Sequence, residues 1–253
     1  MTDPAPGRTL AARFAQARVD KSQVVLEGFH AVKHALRFGA EIELAVTQDR
    51  VALVSLARDL APDLASRLEQ MVREVEPAVF ATLAPIPPAT GLLALAQRPS
   101  ADVASLLEQR TAEPLVLLER PSDLGNIGAV VRVAAAAGAA GVLVTGAHDP
   151  WHPVAIRGGA GLQFALPVAR VDRLAATSRP LVAVDPTGEP IGRGGMPKGA
   201  VYLFGSERTG LGPELLARAG HRVAIPMRTG VSSLNLATAV AIMLYARTEC
   251  EAP

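Results

Sequence analysis

Three glycine-containing loops, each following an apolar run, hold the residues best suited to chemistry. The first, Asp123-Leu124-Gly125-Asn126-Ile127-Gly128, runs into a helix of small residues that carries Arg132. The second, Gly205-Ser206-Glu207-Arg208-Thr209-Gly210-Leu211, follows Tyr202-Leu203-Phe204. The third is Ile225-Pro226-Met227, a loop to Val231, and then Ser232-Ser233-Leu234-Asn235 at the start of the last helix. Glycine leaves backbone N–H and C=O groups open to a ligand. A base such as adenine can be read by such groups between apolar walls, with no phosphate cradle. Ile225, Met227 and Leu234 supply those walls. Ser233 and Asn235 stand where an N-terminal capping residue stands, and Asn126 and Ser233 each read as an N-cap or as a site residue. Glu207 reads as a solvated loop charge or as a site group. Arg132 is the only charged residue between Asp123 and Asp149. A buried unpaired charge is costly, so Arg132 must face solvent or a partner.

Other signatures are missing. There is no Gly-x-x-x-x-Gly-Lys-Ser/Thr, no Gly-x-Gly-x-x-Gly after a strand and no Gly-x-Ser-x-Gly elbow. Gly158-Gly159-Ala160-Gly161 reads as a tight turn or close packing. His148 and His152 are four apart, but Pro150 and Pro153 argue against a regular helix there, and no metal site is expected. One cysteine, Cys250, leaves no internal disulfide and no cysteine-based zinc cluster. With 25 Lys+Arg against 24 Asp+Glu, the net charge of +1 excludes a generally basic nucleic-acid coat, though not a local patch. The 49% apolar content argues against disorder. Nothing at the N-terminus reads as a secretion signal and no long uncharged apolar run spans a membrane, so a soluble cytoplasmic protein is expected.

The elements that must position these loops alternate between helix and strand. Helices are expected at Arg8–Val19, Glu27–Phe38, Arg50–Leu60 and Asp63–Val75, with strands at Val24–Leu26, Leu44–Thr47 and Leu92–Ala96. Residues 1–7 read as a loose tail. This makes a small α/β domain over 1–100, followed by a linker at 101–113. From 114 to 253 the pattern changes. A continuous apolar strand at 115–118, as in a parallel sheet covered on both faces, and further strands at 141–144, 181–184, 201–204 and 222–225 argue for a mostly parallel sheet. Helices at Gly128–Ala137 and from Leu234 to about Thr248 complete it, with the ligand site at the carboxyl ends of the strands.

The three loops, in this order and spacing, resemble the three motifs of the SpoU/TrmH family of SPOUT RNA methyltransferases, from about Pro114 to Tyr245. Asn126, Gly128 and Arg132 match the first motif. Gly205, Glu207 and Gly210 match the second. Ile225-Pro226-Met227, Ser233-Leu234-Asn235 and Ala239 match the third. Leu26-Glu27-Gly28 and Gly91-Leu92-Leu93-Ala94 resemble the small RNA-binding domain many members carry. The resemblance implies an α/β fold with a trefoil-knotted, mostly parallel sheet and a small N-terminal substrate-binding domain. It implies a homodimer that binds S-adenosylmethionine and methylates a ribose 2′-hydroxyl of tRNA or ribosomal RNA. Asn126, Arg132, Glu207, Ser233 and Asn235 are then the catalytic set, and Gly205, Ile225, Met227 and Leu234 hold the cofactor. Arginine loses its proton only above pH ~12, so Arg132 reads as a cation that grips phosphate and stabilises a developing alkoxide, not as a base. The sequence departs from the family pattern at Leu124, at Gly158-Gly159 and at Arg208, where glycine is common. A non-catalytic RNA-binding or ribosome-assembly factor on the same fold is the alternative.

Overall fold

The computed structural model describes residues 6–109, 111–192 and 196–249. Cys250 and the first five residues of the expected tail lie outside them. Pro6 and Gly7 already belong to the first helix.

The chain divides into two compact units. The first contains α1 (Pro6–Val19), β1 (Gln23–Glu27), α2 (Phe29–Arg37), β2 (Ile42–Thr47), α3 (Arg50–Leu60), α4 (Ala65–Met71), β3 (Val72–Glu74), α5 (Pro77–Phe80) and β4 (Leu92–Gln97). Its sheet runs β1-β4-β2-β3, antiparallel except for β2 with β3. Phe14 and Ala17 of α1 close over Val25, Val46, Leu93 and Leu95. The helix expected over Asp63–Val75 stops at Met71. Val72 pairs with Ala45, and the ladder takes over where β-branched residues favour the pleated surface.

The second unit contains α6 (Val103–Glu108), β5 (Leu115–Leu118), α7 (Leu124–Ala136) and β6 (Gly141–Val144). After α8 (Pro153–Gly158) and a 3-10 turn (Leu162–Phe164) come β7 (Val168–Arg170), β8 (Leu181–Pro190), β9 (Val201–Phe204), α9 (Pro213–Arg218), β10 (His221–Ala224) and α10 (Leu236–Glu249). The six strands run β10-β8-β9-β5-β6-β7, all parallel. Every residue of β5, β6 and β9 is buried, as their unbroken apolar runs require. β5 lies between β6 and β9, so the chain steps outward through β6 and β7 on one side and places β8, β9 and β10 on the other. Crevices form at such reversals, at the carboxyl ends of the strands. The segment expected as a linker instead joins this unit. Leu107 lies in its core, and the buried Arg179 guanidinium donates to the carbonyls of Leu106 (2.8 Å), Glu113 (3.1 Å) and Gly199 (2.8 Å).

Trp151–Ala165 corrects the domain boundary a second time. This stretch falls within the range 114–253, yet it packs as part of the first unit. α8 lies on β1, and the 3-10 turn lies on α2. A helix does form there, because Pro153 occupies its first turn, where no N–H is needed, and His152 accepts from Val154 N–H. Gly161 has φ 77°, and a Cβ on it would strike the Ala31 carbonyl, so only glycine permits this approach to α2. Glu27 is buried between Arg18 (2.7 Å) and Arg157 (3.3 Å). At Gly159, Gln163 Oε1 lies 2.7 Å from where a Cβ would be, so the Gly158-Gly159 departure makes room for the Gln163 side chain.

Trp151 is the only tryptophan and is 4% exposed. A fragment starting at Ser100 removes the elements α8 packs on. Its tryptophan emission should shift to the red relative to the whole chain. Retained blue emission would show that Trp151–Ala165 is buried without the first unit.

Candidate functional site

The three loops follow β5, β9 and β10, and the first two strands are neighbours. Asp123 accepts the Asn126 N–H at 2.7 Å and thereby caps α7. The capping position therefore belongs to Asp123, and the Asn126 side chain is released for other bonds. Asn126 Nδ2 donates to Glu207 Oε1 at 2.8 Å. Ser122 donates its N–H (2.9 Å) and its hydroxyl (2.8 Å) to Glu207 Oε2. Asn235 Nδ2 donates to Asn126 Oδ1 at 2.9 Å, and its own Oδ1 accepts from Ala237 N–H (3.0 Å) and Thr238 N–H (3.3 Å). Asn235, not Ser233, therefore caps α10.

The direction of this chain is fixed by chemistry. An ionised carboxylate only accepts, so Asn126 must present its NH2 to Glu207. Its oxygen is then left for the Asn235 amide, whose oxygen is left for the helix. Burial works against the Glu207 charge as the largest single influence. The bonds from Ser122 N–H, Asn126 and the Ser122 hydroxyl outweigh it and hold the carboxyl below its ordinary pKa. The positive end of α7 favours a carboxylate at the same place.

The second loop is closed on itself. Ser206 and Gly210 exchange two backbone bonds (3.1 and 3.0 Å), and the Ser206 and Thr209 hydroxyls meet at 2.7 Å. A Cβ on Gly205 would collide with the Gly210 and Leu211 backbone, so this closure requires glycine. Glu119, at the end of β5, accepts the Gly212 N–H at 2.6 Å.

Beside this network lies a cavity of about 400 Å³. Gly205, Ile225, Met227 and Leu234 all line it, as do Glu207 and Ser233. Leu234 is 39% exposed, an apolar surface open to a ligand. Arg132 is not gathered in. It is exposed on α7, and its side chain makes no hydrogen bond or ion pair among the described residues. Sequence reasoning missed Ser122, and it missed Asp185 and Pro186, which line the cavity. Asp123 could have been found as the cap, because it precedes Asn126 by three residues. His148 and His152 are apart in role: His148 Nε2 meets the Ser122 carbonyl at 3.2 Å, while His152 caps α8.

The sequence model of the SpoU rRNA methylase family matches residues 113–245. The chain belongs to this family. It is 35% identical over 144 residues to a 23S rRNA (uridine(2479)-2'-O)-methyltransferase of Streptomyces viridochromogenes, covering 51% of this chain and 50% of that protein. It is 34% identical over 184 residues to a 23S rRNA (adenosine(1067)-2'-O)-methyltransferase of Streptomyces laurentii, covering 69% and 63%. The matches thus span about half to three-fifths of these relatives' lengths. The crystal structure of the SpoU methyltransferase AviRb from Streptomyces viridochromogenes, in complex with AdoMet, superposes with a TM-score of 0.77 at 25% identity. That match covers 95% of this chain and 98% of AviRb, and it places the fold, with its parallel sheet, among the SPOUT methyltransferases.

The Glu207 network has a measurable pH signature. A depressed folded pKa contributes stability that is present above the unfolded value of about 4.3 and is lost as pH falls through the folded value. Side-chain carboxyl NMR, assigned with Glu207→Gln, should show Glu207 titrating below the ordinary glutamate value. Asn126→Asp removes a donor and adds a like charge, so it should raise that midpoint. A Glu207 midpoint at the ordinary value in the unaltered chain would contradict the geometry.

Proposed function

We propose that this protein is an S-adenosylmethionine-dependent methyltransferase acting on a ribose 2′-hydroxyl of RNA, with ribosomal RNA as the substrate. One observation carries the reading: a cavity walled by Ile225, Met227 and Leu234 adjoins a polar network that joins all three loops. The cavity fits the cofactor in size and donor chemistry. Pockets for such ligands run from ~300 Å³ upward and are mostly apolar with a few placed polar groups. Family membership and the two ribosomal RNA methyltransferases above support the same activity.

Bound there, the cofactor supplies an electrophilic methyl group on a sulfonium. Gly205, Ile225, Met227 and Leu234 hold its adenosine and methionine parts, largely by backbone groups and apolar walls. A ribose hydroxyl is a weak nucleophile, so the protein must orient it and relieve the negative charge that develops on it. Asn126, Glu207 and Asn235 keep the loops in register, and Ser233 stands at the cavity edge. Arg132, exposed and without a partner among the described residues, grips RNA phosphate and stabilises the developing alkoxide. Residues 1–99 with 151–165 form the substrate-reading unit. A homodimer in the cytoplasm and a knotted C-terminal thread complete the proposal. Among the described residues no helix is long and apolar enough to cross a membrane.

Arg132→Ala should lower methyl transfer by about 100-fold or more, while calorimetric S-adenosylmethionine affinity stays within about twofold, because the change lies outside the cavity lining. Turnover near the unaltered level would overturn the role given to Arg132. Mapping 2′-O-methyl marks on total RNA with and without the gene should reveal one lost ribosomal RNA mark. Loss of no mark would overturn the activity.

A further inference from the structure

We infer that Arg208 binds the α-carboxylate of the cofactor's methionine moiety, a contact supplied by a residue that stands where the family pattern commonly has glycine. The inference rests on the cofactor reading above and adds a specific anion subsite to it. Three observations meet at this residue. First, Arg208 lines the cavity, and the other charged residues of the lining are Asp185 and Glu207. Arg208 is therefore the one cation among the described lining residues. A ligand carboxylate is repelled by both acidic groups and finds a favourable place only at Arg208. Second, Arg208 is exposed and makes no hydrogen bond or ion pair among the described residues. Its five N–H donors are open for a planar, two-oxygen acceptor, which the guanidinium fork matches. Third, its backbone is held in place before any ligand arrives. Ser206 and Gly210 pair across the loop, and Thr209 N–H donates to Ser206 Oγ at 3.1 Å. Glu207, the preceding residue, is tied to Ser122 and Asn126. Little ordering of the loop is then needed on binding, which favours affinity.

Neighbouring charges are also committed in ways that leave Arg208 open. Glu207 is consumed by its three donors, and Asp185 Oδ1 accepts from Thr187 N–H and hydroxyl. Neither forms an ion pair with Arg208 among the described residues. An RNA phosphate is the competing anion, and the experiment separates the two.

Calorimetry compares S-adenosylhomocysteine, which carries the carboxylate, with 5′-methylthioadenosine, which lacks the whole amino-acid end. Unaltered protein should bind S-adenosylhomocysteine more tightly. Arg208→Ala should weaken S-adenosylhomocysteine by about tenfold or more, the size of one charge-assisted pair, and leave 5′-methylthioadenosine unchanged. Arg208→Lys should restore part of the loss. An unchanged melting temperature in each variant confirms that the fold is intact, as an exposed position requires. Unchanged S-adenosylhomocysteine affinity in Arg208→Ala overturns the inference, and a raised KM for RNA in that variant would then move the contact to phosphate. Equal weakening of both compounds overturns it too, by making Arg208 a wall of the cavity. If the unaltered protein binds neither compound, the cofactor reading itself fails, and the inference fails with it.

Discussion

The site depends on a carboxylate that can only accept. Glu207 sits on the second loop and takes donors from Ser122 and Asn126 on the first. Because it offers no proton, it dictates which end of Asn126 faces it. That choice dictates the orientation of Asn235, and Asn235 then caps α10. Three loops far apart in sequence are thereby held by bonds whose polarity runs one way. A neutral Glu207 would offer a donor where Asn126 also offers one, and the chain of acceptors would lose its anchor. The bonds that lower the Glu207 pKa are therefore the same ones that keep the loops in register.

The sheet makes that chain possible. β5 and β9 lie side by side and parallel, so the loops leaving their carboxyl ends emerge together. Every residue of both strands is buried, as in a sheet covered on both faces. α7 and α10 pack on each other, bringing Asn126 and Asn235 into bonding range. The polar work is then confined to the strand ends, while the adjoining cavity stays mostly apolar. Short bonds between loop side chains are worth little singly in exposed positions, roughly 1 kcal/mol each. Their value here is in excluding alternative loop arrangements, as a preorganised site requires.

Much of this could be read from the chain, because it is written in local pattern. Apolar runs fixed the central strands, and glycine-bearing loops after them marked the site. Gly205, Glu207, Ile225, Met227, Ser233 and Leu234 do share one cavity, and Asn126 and Asn235 adjoin it. What was illegible depended on partners distant in sequence. α8 and the turn after it join the first unit through Glu27, which meets Arg157, and Ala31, which meets Gly161; nothing near residue 155 announces either. Val72–Glu74 becomes a strand only because β2 offers it an edge. Ser122 matters through a residue 85 positions away. Asn235 does cap the last helix, as its position allowed, while Asn126 and Ser233 do not act as caps. Asp123 takes the Asn126 N–H and Asn235 takes the Ala237 and Thr238 N–H groups, which frees the Asn126 side chain for Glu207.

Charge gives the last step. A net charge of +1 excludes a polycation, so attraction for any polyanion must come from placed groups. At this site the acidic residues are engaged: Asp123 by α7, Glu207 by three donors, Glu119 by the Gly212 N–H, Asp185 by Thr187. Arg132 and Arg208 are exposed and without partners among the described residues. Pairing the carboxylates locally screens them from an incoming anion and leaves the two guanidiniums to act. One lies on α7 outside the cavity lining and the other within it. An overall neutral chain can thus present positive charge at two chosen places, Arg208 in the cavity lining and Arg132 on α7. The neutrality itself limits binding elsewhere, since non-specific affinity grows with the number of phosphates a surface can neutralise.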